Sequence, residues 1–182
     1  MWSHPEIVET LRKSCGIESL ITYPGKPPPT HGIVGTYNQA LKNIDADFFL
    51  FCHQDVAGDI PAFIEASLKF MGPKDVVGAI GKTEKNTPVW RHNEAPIEVE
   101  TLDECCFGFY KNSGYTFDPK LLWTNYSQDI CLLAKSKGGK VWVPPHNIGH
   151  AQHRWGSWFK TQGYFGKERA YLSKKWGPFH RS

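Results

Sequence analysis

An imidazole, an amide and a carboxylate, His53-Gln54-Asp55, follow directly on the apolar run Phe48-Phe49-Leu50-Phe51-Cys52. Open α/β sheets gather ligands outside the carboxyl ends of their strands, and a polar rim there can hold a divalent metal or a phosphate. The same triplet would also serve as a turn or a helix cap. Two adjacent carboxylates, Asp103 and Glu104, lie between the apolar, strand-like segments 99–102 and 105–109, where burial without partners is costly. One could accept a hydrogen bond from a substrate hydroxyl; alternatively both cap a turn and face water. Asp129 falls in the first turn of an expected helix, where the helix dipole favours an anion, although carboxylates are common at that position in any case. His146, His150 and His153 place three imidazoles within eight residues, able to ligate metal or bond an anionic phosphate. Their spacing matches no zinc signature such as HExxH.

The elements that must position these groups follow from apolar periodicity and its interruptions. Helices are expected over 5–15, 35–44, 60–71 and about 127–136, with an aromatic and basic helix from 157 onward. Strands are expected over 17–23, 45–52, 75–80, 88–92, 97–102, 105–111 and 140–143, and the proline-rich stretch 24–29 must be a loop. The unbroken run from Phe48 to Cys52 reads as a central strand buried on both faces. Helices alternate with strands at first, then short strands follow one another. An α/β fold with a mixed sheet is implied, in one domain over 1–182.

Composition narrows the function classes. A chain of 182 residues with 40% hydrophobic and 21% charged residues is an ordinary globular one. A formal charge of +3 with both signs mixed along the sequence gives no footprint for nucleic acid. The one basic cluster, from Lys160 to Arg181, is interleaved with Trp158, Phe159, Tyr164, Phe165, Tyr171 and Trp176. It reads either as an amphipathic helix packing its aromatics inward or as a surface for phosphate or an anionic membrane. No apolar run approaches the roughly 18 residues a spanning helix needs. Five cysteines without CxxC spacing suit buried free thiols in a reducing compartment, so a cytoplasmic protein is expected, with peripheral membrane contact as the alternative.

In chain order, Tyr37-Asn38-Gln39-Ala40-Leu41, the segment from Phe49 to Val56, Leu102-Asp103-Glu104-Cys105-Cys106, Phe117-Asp118 and Gln128-Asp129-Ile130-Cys131-Leu132 resemble the family 2 type of glycosyltransferase with the GT-A fold. The tail His150-x-x-His153-x-x-Gly156-Ser157, followed by Lys174-Lys175-Trp176, is similar too. The likeness runs over roughly residues 5–176 and rests on the order and spacing of loose segments.

That resemblance implies a three-layer, Rossmann-like mixed sheet flanked by helices, a nucleotide-sugar donor, and transfer of the sugar to a glycan, lipid or protein hydroxyl. It implies a cofactor, Mn2+ or Mg2+, held by Asp55, His53 and His150, with His53 standing where the family has a first aspartate. It makes Asp129 the catalytic base of an inverting transfer, Asp103 and Glu104 acceptor contacts, and Tyr37, Asn38, Gln54 and His153 donor contacts. The family's opening strand has no counterpart before the first helix, so the domain is expected to be shortened at its N-terminus. The segment 17–23 and its proline-rich loop would then carry more of the nucleotide contact. A non-catalytic nucleotide- or carbohydrate-binding module is the alternative, since a 14% aromatic content also suits sugar stacking.

Overall fold

A computed structural model describes residues 32–53, 56–90, 94–150 and 163–177. The helix expected over 5–15, the strand over 17–23, Gln54, Asp55, His153 and the stretch 157–162 lie outside the described residues. In chain order the elements are α1 (Gly32–Asn43), β1 (Phe48–Cys52), β2 (Val56–Ala57), α2 (Ile60–Leu68), β3 (Val76–Gly78), β4 (Ile80–Lys82) and β5 (Pro88–Trp90). They continue with β6 (Ile97–Glu98), β7 (Thr101–Leu102), β8 (Cys106–Tyr110), α3 (Tyr126–Ser136), β9 (Val141–Val143), β10 (Gly149–His150) and α4 (Tyr164–Trp176).

Five strands form the main sheet in the order β1-β8-β3-β9-β6. The β3–β9 pair is parallel and the other three pairs are antiparallel, so the sheet is mixed as expected. Alternation along β1 and β8 splits the core into two layers. Phe49, Phe51, Phe107 and Phe109 face Val34 of α1, Tyr126 and Ile130 of α3 and Leu172 of α4. Phe48, Leu50 and Cys106 face Ile60 and Phe63 of α2. Helices thus cover both faces and the architecture has three layers. Gly108 of β8 permits this packing, because a Cβ there would lie 2.7 Å from the Phe48 ring.

The sequence places β1 at the centre with both faces buried; the structure differs. Among the described residues β1 stands at one end of the sheet order, and its residues alternate between buried and half-buried. Phe49 and Phe51 are covered by the three-helix layer, whereas Phe48, Leu50 and Cys52 meet the thinner layer built around α2. A second difference is the single strand expected over 75–80. The chain changes sheet at Ala79, whose N–H bonds the Cys106 carbonyl at 2.9 Å, so that β3 stays in the main sheet while β4 joins the three-stranded sheet β5-β4-β7.

Two devices set the loops next to β1. Asp59 caps α2 by accepting from Ala62 N–H at 2.9 Å, with Pro61 in the first turn, and its own N–H bonds Asn147 Oδ1 at 3.1 Å. Gly58, at φ 138°, lets the backbone around Ile148 approach so closely that a Cβ would lie 2.8 Å from Ile148 Cα. Together they dock β10 antiparallel on β2, with His150 opposite Val56.

Candidate functional site

β1 delivers His53 to its carboxyl end, where the His53 N–H bonds the Cys105 carbonyl at 2.7 Å. Cys105 belongs to the turn from β7 to β8, so the sheet register itself brings segment 103–105 against His53. That turn is fixed without any ligand. Asp103 N–H donates to the Ile80 carbonyl at 2.9 Å, and Asp103 Oδ1 accepts from Cys105 N–H at 2.9 Å. β10 supplies the third component, and the His150 ring lies 5.7 Å from the His53 ring. One donor atom each from Asp103, Cys105 and His150 fall within 4.8 Å of one another. Carboxylate oxygen, sulfur and imidazole nitrogen together form a donor set for a divalent transition ion. Mg2+, which takes oxygen ligands almost exclusively, fits it poorly.

α3 borders the site. Its first residue, Tyr126, is buried, and its hydroxyl lies 3.1 Å from His53 Nε2. Tyr37 of α1 hydrogen-bonds the same hydroxyl, and burial pushes both phenols above the usual tyrosine value. Ser127 Oγ donates to the Leu102 carbonyl at 2.8 Å, tying α3 to the strand that leads into Asp103. Glu104 accepts the Asn125 N–H just ahead of α3. Its carboxyl is pushed up to about 8, by burial first and then by the neighbouring Asp103. Burial thus favours the neutral acid in the metal-free protein, in contact with the start of α3.

Asp129 lies one turn further along α3, with only 2% of its surface exposed, in a different set of contacts. Lys175 Nζ is 2.8 Å from its Oδ1 and 3.0 Å from its Oδ2, and Trp176 Nε1 donates to Oδ1 at 2.6 Å. Lys175 also reaches Asp118 Oδ2 at 2.9 Å, which Tyr171 shares at 2.7 Å. Burial opposes the charge on Lys175, yet its bonds to the two aspartates hold its pKa above the usual lysine value. The C-terminal helix turns Tyr171 and Trp176 toward the core while Phe165 stays exposed, and it uses Lys175 as a clasp.

The structure thus gathers His53, Asp103, Glu104 and His150 at the end of β1. Asn38 has both ends of its amide engaged with the Phe117 backbone, each at 2.9 Å. Its part in the fold is to fix the strand-like stretch after Gly114. His146 is a core residue, with its ring 5.6 Å from Phe63 and its Nδ1 accepting from Ile148 N–H at 3.0 Å. Reading the sequence alone misses Cys105 as a donor, because its apolar neighbours make it one more buried thiol. It also misses Glu168, which from α4 accepts four hydrogen bonds from residues 122–124 and so fixes the approach to α3. A lone glutamate on an amphipathic helix carries no signal for that role.

No family model matches the chain, and no curated protein matches it in sequence. Among solved structures it is similar to GalNAc-T7 with UDP, GalNAc and Mn2+, with a TM-score of 0.53 at 10% identity over 68% of this chain. The chain has a GT-A-like fold. The match covers 31% of the GalNAc-T7 chain, and at this identity the likeness concerns the fold. Within a GT-A-like frame, His53, segment 103–105 and His150 lie at the carboxyl end of β1, the edge outside which open α/β sheets take ligands. Among the described residues no helix is long and apolar enough to cross a membrane.

Proposed function

We propose that the protein is a sugar transferase of the family 2 type, using a nucleotide-diphosphate sugar as donor and an acceptor hydroxyl. The observation that carries this reading is the convergence of Asp103, Cys105 and His150, with the His53 ring 5.7 Å from that of His150, at the carboxyl end of β1 in a GT-A-like fold. A divalent cation bound there would stabilise charge developing on the leaving diphosphate. Mn2+, present in the GalNAc-T7 structure, suits these donors better than Mg2+. Asp55, next to this group in sequence, would complete its oxygen ligands.

The remaining roles belong to the chain's own side chains. Asp129 takes the proton from the acceptor hydroxyl, which makes single displacement with inversion the natural course. Its carboxylate has about four lone-pair positions, of which Lys175 and Trp176 engage three, so the proton is accepted at the remaining one. Asp103 and Glu104 face the acceptor. Glu104, protonated at neutral pH, donates to an acceptor oxygen where an ionised neighbour would only accept. Tyr37 and Asn38, with Gln54 and His153, serve the donor side, the first two indirectly, through their contacts with the buried Phe51 and Phe117 beneath it.

The test is release of nucleoside diphosphate from a panel of nucleotide sugars, with an added divalent cation and with chelator. Cation-dependent consumption of one donor supports the transferase. If no donor is consumed while a nucleoside diphosphate still raises the melting temperature, the protein is a binding module instead.

A further inference from the structure

Beyond the clefts and patches of the surface, one cluster of unlike donors combines hydrogen-bonded rigidity with burial. Asp103 and Cys105 come from the turn between β7 and β8 and His150 from β10, yet their donor atoms lie within 4.8 Å of one another. The Cys105 side chain is fully buried beside Val56 and Ile148, while Asp103 and His150 remain partly exposed and leave a route for an ion. The backbone is already set: Cys105 N–H bonds Asp103 Oδ1 at 2.9 Å, and the Cys105 carbonyl holds His53 N–H at 2.7 Å.

We propose that Asp103, Cys105 and His150 form a resident site for a thiophilic divalent ion of the zinc type, with Cys105 bound as thiolate. The inference deepens the transferase reading by naming the class of its cation, but the site stands on its own donors. Bond lengths of about 2.0–2.3 Å to zinc place tetrahedral ligand atoms roughly 3.3–3.7 Å apart. Donor atoms within 4.8 Å of one another need close by no more than about 1–1.5 Å to reach that spacing. His53, 5.7 Å ring to ring from His150, is near enough to serve as a fourth ligand or to orient the third. On binding, the thiol proton leaves to solvent and the sulfur lone pair goes to the metal, so the buried sulfur carries no uncompensated charge. An oxygen-seeking ion such as Mg2+ gains nothing from that sulfur.

The test is cobalt substitution of the whole chain. Protein stripped with chelator is titrated anaerobically with Co2+ while the near-ultraviolet spectrum is followed. A thiolate-to-cobalt charge-transfer band should saturate at one equivalent, bleach on adding one equivalent of Zn2+, and survive a roughly hundredfold excess of Mg2+. Cys105→Ser should abolish the band while leaving the far-ultraviolet circular dichroism unchanged, and Cys131→Ala, at a buried thiol of α3, should keep it. Wild-type protein that binds no Co2+, or binds it with no thiolate band, overturns the proposal without recourse to any variant. Donor turnover with Mn2+ is assayed on the same protein: turnover without a thiolate band overturns this site alone, whereas a thiolate band with no donor consumed overturns the transferase reading alone.

Discussion

Lys175 at the end of α4 holds Asp129 of α3 by both carboxylate oxygens, at 2.8 and 3.0 Å. The candidate base is thus neutralised from a helix 46 residues away in the chain. The clasp ties α4 to α3 as well as to the core.

Replacing Lys175 by Met separates those two contributions. The buried Asp129 would keep Trp176 but lose its cation, and because the lysine is itself about one-third exposed the cost is about 1–3 kcal/mol rather than the full penalty of a buried pair. Thermal or urea unfolding should show that loss. Asp129→Asn keeps an acceptor for Trp176, so it should leave the fold intact and lower sugar transfer about a hundred- to ten-thousandfold. Transfer at the normal rate by Asp129→Asn protein would remove the residue from the role of base.

Glu104 gives the protein a pH signature. Below its ordinary value of 4.5 the carboxyl is protonated in folded and unfolded chains alike; between there and about 8 the folded protein keeps a proton that the unfolded chain releases. Stability of the metal-free protein should therefore fall as pH rises through that window, by up to about 1.4 kcal/mol per unit. Glu104→Gln preserves the oxygen that accepts from Asn125 N–H and cannot ionise. Urea midpoints at pH 5, 6.5 and 8 should decline more steeply for the parent than for the variant, in which Glu168, also raised by burial, still titrates.

Much of this arrangement is legible in the amino-acid sequence and some of it is not. The apolar run from Phe48 to Cys52 gives β1 its limits, and the helix carrying Asp129 begins within one residue of its expected start. Local pattern specifies both. Edge position is not local: whether Leu50 meets a thick or a thin layer depends on which helices pack there, and the transfer of the chain between sheets at Ala79 depends on a hydrogen bond to Cys106. The same holds for the site. His53 announces itself by following a strand, but the meeting of Cys105 with His150 is created by strand register and by the docking of β10 on β2.

Tyr126→Phe examines how His53 is oriented. Removing the hydroxyl 3.1 Å from Nε2 should cost about 1 kcal/mol of stability, since the aromatic packing against Phe107 and Phe117 remains. Affinity for a divalent cation should drop by about ten- to a hundredfold, as expected when a group positioning a ligand is lost. Equilibrium dialysis against Zn2+ and Mn2+ measures it.

Asn38→Ala tests the clamp on the Phe117 backbone. Both Phe117 backbone groups would lose their partner in a partly buried setting, at a cost of about 1–3 kcal/mol, visible as a lower urea midpoint. A stability unchanged by this substitution would show that the clamp is dispensable.

Calorimetric titration of a nucleoside diphosphate into the intact chain, with Mn2+ or Zn2+ present and again in chelator, is the most direct measurement. Binding that needs the cation, and that weakens at least about tenfold in His150→Ala protein, is the predicted result. Absence of binding under every condition, or binding indifferent to both the cation and His150, would contradict a metal-assisted nucleotide-sugar site at the end of β1.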